Sequence, residues 1–315
     1  MAVNHGPSTV SGFSPCYISP RNSMRPEITQ AVELLQQNDP KSLERALSLL
    51  QETVFSFSMK ICGQREDAED TMQEVLLKSV PYLPRFSSPQ ALSVWLYKVA
   101  KNRCLMSRRK SKFAPQHELA LDELMPDRRE LESLAGGNGE SPETSALRDE
   151  RAQWLRDAIL RLPPAYRLVL VLHDMEELSD QEIGKITGLR PGTVRVRLHR
   201  ARLYLRNELA RRGAFQAGRG RRPKGAPAVE EKPRRCRELF AALSDYLDEK
   251  LDDSMCEKME AHMGDCRPCQ AFLATLEQTI AQCRRTPSAC PDRRKAEKIR
   301  RALLAQLQGA VKTRA

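Results

Sequence analysis

Apolar residues recur every three or four positions through most of the chain. No run rich in Val, Ile and Thr alternates with period two between turn residues. This pattern predicts an all-α protein. The periodic stretches fall into blocks separated by polar, Gly- and Pro-rich sequence, as expected for several small helical domains on linkers. Residues 1–25 read as a disordered arm, and a first helical block covers residues 26–112. A polar, acid-leaning stretch over 113–144, containing "AGGNGESPE", reads as a linker. A second block covers 145–211. Residues 212–235 lie in "RRGAFQAGRGRRPKGAPAVEEKPRR", whose Gly, Pro and Arg content predicts a flexible basic tether. A third, smaller block covers 236–282. A helical tail over 283–315 follows, with a helix expected around Lys295 to Leu307.

Within the second block, "LSDQEIGKITGLRPGTVRVRLHRARLYLRNEL" carries the most local information. Ser179 followed by Glu182 forms a capping box and marks a helix start. Ile183 and Ile186 give that helix its buried side, and Gly188 permits a tight turn. Pro191 suits the first turn of the next helix, where a missing N–H costs nothing. The second helix has a buried stripe at Val194, Leu198, Ala201 and Leu205. Its other faces carry Arg195, Arg197, His199, Arg200, Arg202 and Arg206, with no acid before Glu208. Two short helices joined at a glycine, the second one basic, form the helix-turn-helix layout. Thr193, Arg195, Val196 and Arg197, near the start of the second helix, are placed for base edges. His199 and the later arginines, Arg200 among them, are placed for phosphates. A solvated basic face on a helical hairpin is the plainer alternative.

The first block adds two features that a simple duplex-binding protein does not need. "QREDAEDTMQEVLLKSVPYL" puts Asp67, Glu69, Asp70 and Glu74 on an acidic helical patch, which suits a basic protein surface or a helix dipole. "FSSPQALSVWLYKVAKNRCLMSRRKSK" has an apolar stripe of Leu92, Trp95, Leu96 and Val99. It then carries seven basic residues from Lys98 to Lys112 with no acid, Lys101 and Arg103 among them. Phe86, Trp95 and Tyr97 lie beside that charge. Aromatics next to a cationic track suit single-stranded DNA, where bases stack and phosphates pair with Lys and Arg; a core role for the Trp95 ring is the alternative.

Net charge sharpens the picture. At +11, the chain is drawn to polyanions, of which nucleic acid is the usual one. No run is long and apolar enough for a membrane span, and the first residues lack the charged start and apolar core of an export signal. A cytoplasmic protein with no membrane partner is therefore expected. In that setting nine cysteines, six of them between Cys236 and Cys290, point to a metal site before a disulfide framework.

"AHMGDCRPCQ" supplies three soft metal ligands in eight residues. His262 and Cys266 are four apart and leave one helix face, while Cys266 and Cys269 have the C-x2-C spacing of a zinc knuckle. The helix "CRELFAALSDYLDEKL" buries Leu239, Phe240, Leu243 and Leu247, and Cys236 continues that stripe one turn back. Cys256 lies six residues before His262, about 240° around the helix, and points elsewhere. Cys236, His262, Cys266 and Cys269 are thus the candidate ligands of a zinc ion. Buried apolar cysteines or a disulfide are the alternatives.

These motifs resemble a known family. "DAEDTMQEVLLK" is similar to region 2.2 of the extracytoplasmic-function (ECF) sigma factors, and "FSSPQALSVWLYKVAKNRCL" to their regions 2.3 and 2.4. "LRDAILRLPPAYRLVLVLHDMEELSDQEIGKITGLRPGTVRVRLHRAR" is similar to their region 4. The resemblance runs over roughly residues 26 to 211. It implies a subunit that takes core RNA polymerase to promoter DNA and initiates transcription. Asp70, Gln73 and Glu74 would then dock on the β′ clamp helices and region 4 on the β flap. Asn102 would help capture a flipped base of the −10 element, and the second helix of region 4 would read the −35 element. The linker would thread the RNA channel. Two positions depart from the family pattern: Arg190 stands where Ser or Thr often caps the helix, and Val196 where a small polar residue is common.

The third block, from Cys236 to Leu276, resembles the zinc-binding anti-sigma domains, with an early Cys followed by H-x3-C-x2-C. That resemblance implies a closed tetrahedral structural site and a domain that clamps a sigma factor, here its own chain in cis. Oxidation of Cys266 or Cys269, or exchange of zinc for a softer metal, would reshape such a domain. Cys256, Cys283 and Cys290 are spare thiols for that chemistry. No nucleophile–base pair, P-loop or open metal position marks an enzyme. The competing expectation is a free-standing metal- or redox-responsive helix-turn-helix regulator.

Overall fold

A computed structural model of the protein describes residues 25–37, 39–109, 119–126, 130–131, 145–215 and 234–312. Among these residues there is no strand, and no helix is long and apolar enough to cross a membrane.

The first block is a four-helix bundle: α1 (Pro26–Gln37), α2 (Pro40–Cys62), α3 (Arg65–Ser79) and α4 (Pro89–Arg109). Asp39 starts α2 by accepting from the N–H groups of Lys41 and Ser42 at 3.0 and 3.1 Å, with Pro40 in the first turn. Gly63 ends it in the left-handed region, φ 78°. A Cβ there would also meet the Leu160 side chain at 2.8 Å, so two constraints favour glycine at this position. Leu47, Leu50, Phe57, Met72, Leu76, Leu92 and Leu96 fill the bundle and are fully buried.

After a one-turn helix α5 (Leu121–Leu124), the second block comprises α6 (Ser145–Arg161), α7 (Pro164–Leu170), α8 (Asp180–Thr187) and α9 (Pro191–Arg211). The segment Val171–Met175 continues α7 as a wider π-turn. Ser179 caps α8 as the sequence predicts: its hydroxyl accepts from the Glu182 N–H, and the Glu182 carboxylate accepts from the Ser179 N–H. Arg190 leaves the start of α9 with no side-chain cap bond.

The third block packs α10 (Arg234–Leu247), α11 (Asp253–Asp265) and α12 (Arg267–Arg285) around Phe240 and Phe272, whose rings meet edge to face at 4.9 Å. Leu203 of α9, and Leu124 and Leu131 from the 113–144 stretch, are buried in the same core. The described parts of that stretch are therefore packed rather than extended. A last helix, α13 (Arg293–Lys312), returns to the first block. The Gln51 amide donates to the Ala296 carbonyl at 2.9 Å, Lys295 pairs with Glu69, and Leu303 is fully buried.

The first two blocks share one apolar core, which holds Ile61 and Cys62 of the first together with Leu155, Ile159, Leu162 and Leu168 of the second. Polar contacts close the same seam. Arg167 donates to the Ile61 carbonyl at 2.7 Å and to Leu162 at 2.9 Å, and also reaches Leu160. Most of the expected arm and tether lies outside the described residues. Arg25, at the end of that arm, is held at the seam by the Met175 carbonyl and Glu176.

Candidate nucleic-acid interface and metal centre

The four candidate ligands converge. Cys236 comes from α10, His262 from the last turn of α11, Cys266 from the joint between α11 and α12, and Cys269 from the first turn of α12. Their ligand atoms all lie within 4.8 Å of one another. Cys236 Sγ is 3.6 Å from His262 Nε2 and 4.0 Å from Cys269 Sγ, and His262 Nε2 is 3.3 Å from Cys269 Sγ. A tetrahedral ion with the usual Zn–S and Zn–N bond lengths sets its donors about 3.6–3.8 Å apart, so these side chains fit such an ion. Burial, then the neighbouring Cys266 and Cys236 thiols, pushes the Cys269 thiol well up. A metal reverses that push by taking the thiolate, so loading releases protons. Cys256 is half-exposed on α11, where its thiol is 4.0 Å from the Leu251 carbonyl, and Cys290 is exposed. Cys283 is fully buried, and burial raises its thiol, which makes it a poor nucleophile.

On α4, Lys98 and Asn102 are exposed and Arg103 is half-exposed. Arg103 pairs with Glu74 of α3 at 2.7 Å, and Lys78 reaches the other oxygen of that carboxylate at 2.6 Å. The Lys78 hydrogen bond and, after it, Arg103 hold Glu74 below its ordinary pKa. Asp70 and Gln73 are exposed one turn away, so the acidic patch and the basic strip adjoin. Lys101 turns instead to the second block and donates to the Ile186 carbonyl at the end of α8, at 2.8 Å. Trp95 is half-buried against Tyr82 and Phe86, at ring distances of 5.9 and 6.1 Å. Tyr97 departs from the expected aromatic track: it is buried, packs on Phe57, and its hydroxyl meets Glu176.

The recognition helix α9 has three sides. The expected stripe of Val194, Leu198, Ala201 and Leu205 is buried in its own block. At 100° per residue, Thr193, Val196, Arg197 and Arg200 centre about 120° away, and this face is open: Thr193 and Val196 are exposed, and Arg197 and Arg200 half-exposed. Arg195 is half-exposed too, but it lies about 150° from that face, one turn before His199. The third side lies about 100° from the core in the other direction. There the side chains expected on phosphates are covered in this arrangement. His199, Arg202 and Arg206 are buried, because α10 and α12 of the third block cover them.

That covered side is a dense polar junction. His199 Nδ1 is 2.9 Å from the Ser244 hydroxyl, and burial, then Arg202 and Arg200, lowers the imidazole to a pKa of about 4. The Arg202 guanidinium is gripped from two sides. Asp174 accepts two bonds at 2.5 and 2.8 Å, and Asp248 accepts two at 3.0 Å. Burial would raise the Asp174 carboxyl; Arg202 outweighs it and holds the group well below its ordinary value. Lys250 adds a bond to Asp180 at 2.7 Å. Arg206 stacks on Phe272 at 4.2 Å, donates to Thr275 at 3.0 Å and reaches Glu130. Sequence reading missed Asp174, Glu176, Asp248 and Lys250. Part of the signal was present: His199, Arg202 and Arg206 have a three–four spacing of their own, the mark of a second packing stripe.

Comparison with known proteins agrees with this architecture. Residues 47–113 match the family described as "Sigma-70 region 2", residues 152–205 "Sigma-70, region 4", and residues 236–270 "Putative zinc-finger". The chain is similar to the ECF RNA polymerase sigma factor SigW of Bacillus subtilis, 28% identical over 58% of this chain and 96% of that one. It is similar to the RNA polymerase sigma-H factor of Pseudomonas aeruginosa, 29% identical over 55% of this chain and 89% of the relative. It is also similar to the ECF RNA polymerase sigma factor SigE of Mycolicibacterium smegmatis, at 30% over 52% and 60%. With both sigma regions matched in order and a zinc-finger-type domain behind them, the chain belongs to the sigma-70 family, in its extracytoplasmic-function branch.

Proposed function

We propose that this protein directs core RNA polymerase to specific promoters and that its own C-terminal domain, held together by zinc, restrains it in cis. The observation that carries the restraint is Arg202: one guanidinium of the recognition helix is shared between Asp174 of region 4 and Asp248 of the C-terminal domain. A domain on the same chain works at an effective concentration around millimolar, so modest intrinsic affinity keeps it docked. Zinc on Cys236, His262, Cys266 and Cys269 would supply structural cohesion by crosslinking α10, α11 and α12.

The active form needs the two regions apart. Region 2 would take the −10 strand with Lys98, Lys101, Asn102, Arg103 and the Trp95 edge. Region 4 would read the −35 duplex with Thr193, Arg195, Val196, Arg197 and Arg200. Elements spaced along a duplex cannot both be met by domains that share one core. Asp70, Gln73 and Glu74 would meet the β′ clamp helices, a role their position outside the seam supports, and region 4 would meet the β flap. Run-off transcription with core polymerase tests the reading. Promoter-dependent transcripts are expected from the full chain, at a higher level once Asp248→Asn loosens the third block. Duplex binding with no initiation under any condition overturns it.

A further inference from the structure

Glu176 is the least expected group in the seam. Its carboxylate belongs to region 4, at the end of the π-turn, yet it is wholly buried in region 2. Three donors converge on it, one from the end of the arm and two from region 2. Arg25 pairs with it, its Nη2 donating at 3.3 Å and its Nε 2.7 Å away; Lys60 Nζ of α2 lies at 2.9 Å, and the Tyr97 hydroxyl of α4 at 2.6 Å. Two cations and a phenol around one monoanion make a built anion site, and its occupant arrives from another domain.

Where the site sits decides what else it could hold. Tyr97 and Lys101 are four apart on α4, so they share a face, and region 4 covers that face through Glu176 and the Ile186 carbonyl. Lys98 and Asn102, exposed on the same helix, lie alongside. When region 4 moves off, Arg25, Lys60, Tyr97 and Lys101 become a cationic line beside the strip assigned to the promoter strand. A phosphodiester has the charge and the paired acceptor oxygens of a carboxylate, and burial strengthens each such bond.

We propose that Arg25, Lys60 and Tyr97 form a DNA-phosphate site on region 2, and that Glu176 occupies it in cis as a phosphate surrogate. The site is blocked in the closed chain and takes a backbone phosphate of single-stranded promoter DNA when region 4 departs. This rests on the sigma-factor reading, and it predicts opposite effects for residues that touch one another. A simple clasp gives the same effect whichever side is cut, since either change opens the chain. A shared anion site does not: losing Glu176 frees the donors, whereas losing a donor removes the site.

The test uses the full chain and a fluorescein-labelled single-stranded DNA 20-mer, with binding followed by anisotropy over a range of KCl. Glu176→Gln is expected to bind at least tenfold more tightly than wild type. Adding Lys60→Gln to it should weaken binding and lower the log–log salt slope by about 0.7, the loss of one phosphate contact on a single strand. Tyr97→Phe in the same background removes only a hydroxyl, keeps the ring in the core, and should weaken binding about threefold to tenfold at an unchanged fold by circular dichroism. If Glu176→Gln binds like wild type, or if the double variants match Glu176→Gln in affinity and slope, the phosphate site is wrong. Run-off transcription separates this from the underlying reading. No initiation with an intact slope change sinks the sigma assignment alone, and normal initiation with no slope change sinks the phosphate site alone.

Discussion

Removing the Asp248 carboxylate should detach the C-terminal domain from region 4. Asp248→Asn keeps the shape of the side chain and removes its charge, so the two bonds from Arg202 at 3.0 Å lose their ionic acceptor. Truncating one partner of a buried pair costs about 3–5 kcal/mol when the other charge is stranded. Arg202 is not stranded, because Asp174 still accepts two of its bonds, so the lower end, about 3 kcal/mol, is expected. At 1.4 kcal/mol per tenfold, the undocked fraction rises about a hundredfold. Cys283 reports this directly. It sits on α12 of the C-terminal domain, is 1% exposed, and is buried in the core of the two sigma regions. Its alkylation, followed peptide by peptide in the mass spectrometer, tracks undocking when closing is fast relative to labelling. The Asp248→Asn rate should rise about a hundredfold at low reagent. Glu257→Gln, the same charge change at an exposed site of α11, should leave it as in wild type. Equal Cys283 rates in Asp248→Asn and wild type would refute the claim that this pair holds the domain down.

The metal centre predicts one zinc per chain by plasma mass spectrometry. Cys236→Ser should lose it and Cys256→Ser keep it, and chelation should remove helical signal from residues 234–285 while regions 2 and 4 stay folded. His199 sets a pH limit. Its pKa is lowered from 6.5 to about 4 by burial first, so the unfolded or undocked imidazole binds protons more readily. The contribution is therefore complete above pH 6.5 and is lost as pH falls towards 4. The full loss is about 3 kcal/mol, and a melting curve of His199→Gln should show a shallower acid slope in that window. Arg190 caps α9 with no side-chain bond, so Arg190→Ser should stabilise region 4 by about 1 kcal/mol, read as a rise in the denaturant midpoint.

Much of the fold was legible because it is set locally. The capping box at Ser179, the turn at Gly188 and the 4-3-4 stripe from Val194 to Leu205 each depend on neighbours within a few residues. The convergence of the candidate metal ligands was legible for a related reason: His262, Cys266 and Cys269 are fixed by helix periodicity at one joint, and Cys236 by the apolar stripe it extends. The seam was not legible. Glu176 lies in "HDMEELS", where nothing in the spacing separates a solvated acid from one that meets Arg25, Lys60 and Tyr97 across more than seventy residues of chain. The same holds for Lys295 on Glu69, since an exposed-looking basic helix gives no address.

The division of the basic face of α9 supports one way for the proposed restraint to work. Arginines on a recognition helix read as one DNA surface, yet the helix divides them. Arg197 and Arg200 share the open face with Thr193 and Val196, whereas Arg202 and Arg206 lie round the corner under α10 and α12. The C-terminal domain would therefore restrain region 4 from a side other than the one proposed to read bases, and the seam at Glu176, Arg167 and Lys101 holds region 4 against region 2. A restraint of this kind would act on the separation between the two proposed DNA-binding surfaces, leaving Thr193, Val196, Arg197 and Arg200 uncovered. Opening is then a matter of geometry: once the domains part, no base-contacting side chain has to be rebuilt. It follows that substitutions at Asp248 or Glu176 should change how much transcription occurs and leave unchanged which −35 sequence is chosen, whereas substitutions at Val196 should do the reverse.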